Sequence, residues 1–201
     1  MSFAQRFYGQ FGRPEGLLGR LAGNIMANRR SNRERNEWTL SLLDRQPADE
    51  ILEIGVGPGI AVLRASEMLT QGRIVGIDHS RVMLDQAGRR NRKAIVEGRV
   101  VLRLGDAEGF VGAGGPFDKI YSINVVQFWK QPVKVFRSMR SVLKPGGIIA
   151  TTYQPRHAGA TRSDTQKRAS QVASNLELAG FSGFRIEYLE LKPVPAVCVL
   201  A

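Results

Sequence analysis

The sequence predicts an α/β protein: a seven-stranded, mostly parallel, doubly wound sheet with helices on both faces and an antiparallel hairpin at its C-terminal end. Three observations carry this expectation. Apolar, strand-like segments alternate with segments of helical periodicity, the pattern of a parallel sheet joined by crossover helices. The run Ile51-Leu-Glu-Ile-Gly-Val-Gly-Pro-Gly-Ile60 ends an apolar strand at a glycine-rich turn, where a ligand can lie against bare backbone. Lys192-Pro-Val-Pro195 is too short to hold a crossover helix, so the last two strands must pair antiparallel.

In chain order, strands are expected over residues 50–55, 73–78, 100–104, 119–123, 147–152, 184–191 and 196–200. Helices are expected over 33–43, 59–69, 80–96, 132–143 and 164–179. Leu143-Lys-Pro-Gly-Gly147 ends a helix, which proline and glycine cannot continue, and launches the fifth strand. Ala179-Gly180 does the same before the sixth. Ahead of the sheet, Phe3, Phe7, Tyr8 and Phe11 precede Leu17, Leu18, Leu21 and Ile25, which recur at helical spacing among arginines. That apolar face reads as packing on the domain, as a lid over the active site, or as a membrane-surface helix. The expected organisation is a lid or substrate segment over 1–30 and a single domain over 31–201.

At 201 residues, with 43% hydrophobic and 23% charged residues, the chain has the length and balance of one globular domain. No apolar run reaches the ~20 residues that span a bilayer, and residues 1–8 lack the apolar core of a secretory signal. The cytoplasm is the expected compartment. One cysteine, Cys198, excludes an internal disulfide framework, and two histidines, His79 and His157, argue against a protein-built zinc site, so no metal is expected. The net charge of +11 fits solvated helix faces, an anionic substrate, a lipid surface or nucleic acid. Nucleic acid is disfavoured, because no recognisable binding module accompanies the charge.

In a doubly wound sheet, ligands bind at the carboxyl ends of the strands where the strand order reverses. Chemistry-bearing residues stand at those ends here. Gly55, Gly57 and Gly59 follow the first strand in G-x-G-x-G spacing, and Ile60 stands where a dinucleotide fingerprint needs its third glycine. Asp78 ends the second strand, where a carboxylate can accept both hydroxyls of a ribose; capping the next helix is the alternative, for which Ser80 is equally placed. Asp106 and Ala107 follow the third strand, with a cap on a following short helix as the plain alternative for Asp106. Asn124 ends the fourth, either facing a ligand or satisfying backbone groups.

Over roughly residues 49–152, this series resembles the class I S-adenosylmethionine-dependent methyltransferases of the small-molecule or lipid-modifying kind. The resemblance implies the Rossmann-like methyltransferase fold and S-adenosyl-L-methionine as cofactor. It implies that Gly55, Gly57 and Gly59 admit the methionine part, that Glu53 supports the loop and the amino group, and that Asp78 holds the ribose. His79 would flank the ribose or adenine, Asp106 would accept from the adenine amino group, and the Ala107 N–H would meet a ring nitrogen. Asn124 would lie beneath the reactive methyl group, with Tyr121 and Tyr153 as further catalytic candidates and Gln127 and His157 as pocket residues. Ser-Ile-Asn-Val-Val departs from the Asn/Asp-Pro-Pro-aromatic signature of amino-methylating enzymes, which disfavours bases and amide nitrogens as acceptors. The expected acceptor is a small molecule, with a lipid at an anionic membrane or a noncatalytic cofactor-binding role as alternatives. An oxidoreductase is disfavoured by Ile60 and by the terminal hairpin.

Overall fold

The computed structural model describes residues 16–109 and 114–201. Seven strands form one sheet: β1 Glu50–Ile54, β2 Arg73–Asp78, β3 Val100–Leu104, β4 Phe117–Ile123, β5 Leu143–Tyr153, β6 Arg185–Leu189 and β7 Ala196–Leu200. Their order is β3-β2-β1-β4-β5-β7-β6. The first five run parallel, and β7 is antiparallel to both β5 and β6. The predicted hairpin is present, but its second strand is the one inserted against β5. The composition accounts for this: Ala-Val-Cys-Val-Leu of β7 is apolar and buried throughout, whereas Arg-Ile-Glu-Tyr-Leu of β6 alternates and tolerates a sheet edge.

Seven α-helices lie among the described residues: α1 Gly16–Asn28, α2 Arg30–Leu42, α3 Ile60–Ser66, α4 Arg81–Arg90, α5 Arg92–Val96, α6 Pro132–Val142 and α7 Arg162–Leu178. The single helix expected over 80–96 is broken at Asn91, whose buried side chain donates to the carbonyls of Ala87 and Gly59 at 2.9 and 3.0 Å. The break ties α4 to the start of α3. β5 also begins earlier than expected: Leu143 pairs with Phe117 before a register shift, and Lys119 then pairs with Ile148. The Lys-Pro-Gly-Gly run is thus absorbed as an irregularity inside the strand, where Pro145 has no N–H to contribute.

Alternate side chains of the sheet enter two apolar layers. Leu52, Ile120 and Ile149 pack with Phe136, Met139 and Leu176 of α6 and α7. Ile51, Ile74 and Ala150 pack with Leu40, Val62 and Ala87 of α2, α3 and α4. Fully burying each large aliphatic side chain is worth about 1.5–3 kcal/mol, so these layers, rather than intrinsic propensity, hold a helix as short as α3.

α1 packs on the domain, the first of its three readings. It meets α4 at the buried Gly23, where a Cβ would stand 2.2 Å from Gln86 Oε1. Leu21 and Ile25 stay 50% and 36% exposed. A glycine at the contact allows the closer helix approach, and Leu21 and Ile25 are left toward solvent. Phe3, Phe7, Tyr8 and Phe11, with the first fifteen residues of the lid segment expected over 1–30, lie outside the described residues. No helix among the described residues is long and apolar enough to cross a membrane.

Candidate active site

The strand order reverses between β1 and β4, and a cleft of about 1270 Å³ opens above their carboxyl ends. Its floor is the turn after β1. Gly57 has φ +51°, and the space a side chain would fill is open toward the cleft. Gly55 is needed for a second reason: a Cβ there would stand 2.3 Å from Val125 Cγ1, on the loop after β4.

Gly59 behaves otherwise than expected. It does not line the cleft; a Cβ there would meet Ala87 Cβ and Cα of α4 at 2.6 and 2.7 Å. Helix packing and a φ of +79° both demand glycine at this position. Gly59→Ala is expected to cost about 2–4 kcal/mol of stability, the sum of backbone strain and overpacking. Urea unfolding measures this, and a loss under about 0.5 kcal/mol, the range of neutral surface changes, would contradict the tight packing.

Asp78 Oδ2 accepts the Gly57 N–H and Oδ1 accepts the Ser80 N–H, at 2.8 and 2.9 Å. Ser80 Oγ in turn accepts the Met83 N–H at 3.4 Å, so the helix cap belongs to Ser80 and leaves Asp78 for the turn and the cleft. Burial raises the Asp78 pKa, opposed by these N–H donors and by His79, whose Nδ1 is 3.7 Å away. His79 is exposed at the cleft rim.

Glu53 and Tyr121 are register partners on β1 and β4, and the Tyr121 hydroxyl donates to Glu53 Oε2 at 2.7 Å. Burial pushes the Glu53 carboxyl up to about 8 against this hydrogen bond, and Asp78 adds to the rise. Glu53 lines the cleft, but Tyr121 is fully buried and does not. The expectation of Tyr121 as a catalytic group is therefore corrected to a residue behind Glu53.

Asp106 Oδ1 accepts the N–H groups of Glu108 and Gly109, both at 2.8 Å. This oxygen caps a turn rather than the expected short helix, while Asp106 and Ala107 both line the cleft. Asn124 sits at φ +55°; its Nδ2 donates to the Gln154 carbonyl and its Oδ1 accepts the Gln154 N–H, at 3.0 and 2.7 Å. The amide is engaged on both sides, clamping the end of β4 to the end of β5, and it satisfies backbone as the second sequence reading allowed. Gln127 Nε2 donates to the Asn124 carbonyl at 2.8 Å, leaving its buried Oε1 without a partner at the cleft. Tyr153 lines the far wall under the Arg168 guanidinium, 5.1 Å from its ring centre, and His157 lies exposed beyond it.

Three residues of this wall were not singled out from the sequence: Arg35, Gln154 and Arg156. Arg35 has a readable signal. It falls on the stripe Arg35-Thr39-Leu43 that runs into the core, with Thr39 and Leu43 fully buried.

No group of three or more potential metal-ligating side chains occurs among the described residues. A positive-φ glycine turn flanked by two buried carboxylates at the reversal of a doubly wound sheet suits a ligand bearing ribose hydroxyls and an amino group. That combination defines a nucleotide-type cofactor site. A methyltransferase-domain family model matches residues 51–147. The chain is 34% identical over 181 residues to an uncharacterized methyltransferase, YdaC, of Bacillus subtilis (strain 168), covering 90% of this chain and 97% of that one. It is 24% identical over 144 residues to the trans-aconitate 2-methyltransferase of Deinococcus radiodurans, covering 72% of this chain and 52% of that one. Its fold matches a SAM-dependent methyltransferase structure from Aquifex aeolicus at TM-score 0.69 and 19% identity, over 87% and 93% of the two chains. This chain belongs to the class I S-adenosylmethionine-dependent methyltransferases, and S-adenosylmethionine is its cofactor.

Proposed function

We propose that this enzyme methylates a small-molecule acceptor. The supporting observation is one continuous cleft running from Gly57 and Asp78 to Tyr153, Arg156 and His157. Its volume of about 1270 Å³ exceeds the ~300–1,000 Å³ of pockets that hold one ligand. In this reading Glu53, Gly55, Gly57, Asp78, His79, Asp106 and Ala107 hold the cofactor. The acceptor lies toward Asn124 and Tyr153.

When bound, the cofactor supplies a methyl group on a positively charged sulfur. The chain's task is then to align an acceptor with that methyl and keep water out, for which effective molarities of about 10⁵ M or more are attainable. The Asn124–Gln154 clamp holds the strand ends in place at the meeting point of the two halves. The relative named for trans-aconitate supports a small acceptor.

Incubation with cofactor bearing a deuterated methyl group and a metabolite extract is expected to put label in the water-soluble fraction. Label confined to lipid would overturn the small-molecule reading, and its absence from every fraction would favour a noncatalytic role.

A further inference from the structure

Arg35 projects from α2 into the cleft wall and is only 5% exposed. Its Nη1 donates to Gln154 Oε1 at 2.9 Å, and its buried Nε has no partner. Gln154 is itself fully buried and spends its Nε2 on the Val194 carbonyl at 2.8 Å, which fixes its oxygen toward Arg35. One helical turn on, Thr39 Oγ1 donates to the Arg35 carbonyl at 2.9 Å and lies 2.7 Å from Thr152 Oγ1, which fixes the helix against β5. Arg156 also lines the cleft, its Nη2 donating to Asn32 Oδ1 and Ser31 Oγ at 2.7 and 3.2 Å. Arg29 lines the same wall.

Among the described residues no carboxylate forms an ion pair with Arg29, Arg35 or Arg156. A guanidinium cannot escape by losing its proton, and a buried charge without a counter-charge is costly. Burial first, then Arg156 and Arg29, pull the Arg35 pKa down to about 9; burial and Arg29 bring Arg156 to about 10. Both remain charged at neutral pH. The wall is therefore a cationic recess held in place by hydrogen bonds, whose charge no carboxylate among the described residues balances.

We infer that the acceptor carries an oxyanion, a carboxylate or a phosphate, held by Arg35 and Arg156. The planar donor fork of arginine fits either group. The recess stands beside the end of β5, across the strand-order reversal from Asp78 and Asp106, which favours the acceptor over the donor as its occupant. Its contacts run to the end of β5, whereas the glycine turn, Asp78 and Asp106 occupy the ends of β1, β2 and β3. This inference rests on the small-molecule reading above and narrows it.

The metabolite extract is separated on an anion exchanger before incubation with labelled cofactor. Methyl-accepting activity is expected in the retained fraction. Activity only in the unretained fraction would overturn the inference while leaving the small-molecule reading intact; no activity in either removes that reading instead. Alkaline phosphatase treatment of the retained fraction should abolish acceptance if the anion is a phosphate ester and spare it if it is a carboxylate. Arg35→Met and, as a variant with little folding risk, Arg156→Gln should each lower labelling of the retained fraction at limiting extract by at least about tenfold. Calorimetric affinity for S-adenosylmethionine should stay within about twofold, small against that loss. Loss of cofactor affinity with either folded variant would assign the recess to the cofactor's own carboxylate and overturn the inference.

Discussion

Asp78→Ala is expected to weaken S-adenosylmethionine binding by at least about tenfold, because charge-assisted hydrogen bonds are worth about 1.5–3 kcal/mol. The carboxylate does two things at once. In the proposed site it accepts the ribose hydroxyls, and in the structure it already holds the Gly57 and Ser80 N–H groups. Alanine removes the ribose partner and also frees the turn that must lie against the ligand. Asp78→Asn separates the two: it keeps an acceptor for one backbone N–H but loses the charge, so its affinity should fall between wild type and alanine. Calorimetric titration of the three proteins checks this. An affinity for Asp78→Ala within about twofold of wild type, far less than one lost charged hydrogen bond, would remove Asp78 from the cofactor site.

Glu53 is expected to make the cofactor-free enzyme less stable as pH rises. Its folded carboxyl titrates at about 8 against a usual 4.5, so the folded state holds a proton that the unfolded chain releases. The associated stability is fully present below about pH 4.5 and is lost as pH rises through about 8. Each unit of displacement corresponds to about 1.4 kcal/mol, so the fall amounts to a few kcal/mol. Glu53→Gln should flatten this part of the melting-temperature profile and raise the melting temperature at pH 8. Function should run the other way. The cationic amino group of the cofactor favours ionised Glu53, so binding near pH 7 should release a proton, seen as a buffer-dependent binding enthalpy. Glu53→Gln should lose both the proton release and affinity. Parallel melting profiles for the two proteins would show that Glu53 does not carry this coupling.

Much of this molecule is set by local chemistry. The seven strands, the glycine turn and the terminal hairpin follow from short apolar runs, positive-φ glycines and a link too short for a helix. Asp78 was legible for the same reason: a carboxylate at the last residue of a buried strand lies at the sheet's ligand-binding edge. The choice between Asp78 and Ser80 as helix cap was not, since both stand in range along the chain and only the fold shows Gly57 claiming the Asp78 carboxylate.

The remaining features depend on partners distant in sequence. Tyr121 lies behind Glu53 because β1 and β4 align these two residues, a register that neither strand encodes alone. Gly59 is demanded by Ala87 of another helix, and Gly23 of α1 lies against α4 while Leu21 and Ile25 stay exposed. The stripe Arg35-Thr39-Leu43 marks Arg35 as facing inward, but its partner Gln154, 119 residues away, meets it only once the chain folds. Periodicity and turn chemistry act over a few residues, so the sequence by itself determined the sheet and the donor's side of the cleft. Packing between elements decided which charges are buried without a carboxylate partner, and with them the cationic recess beside β5.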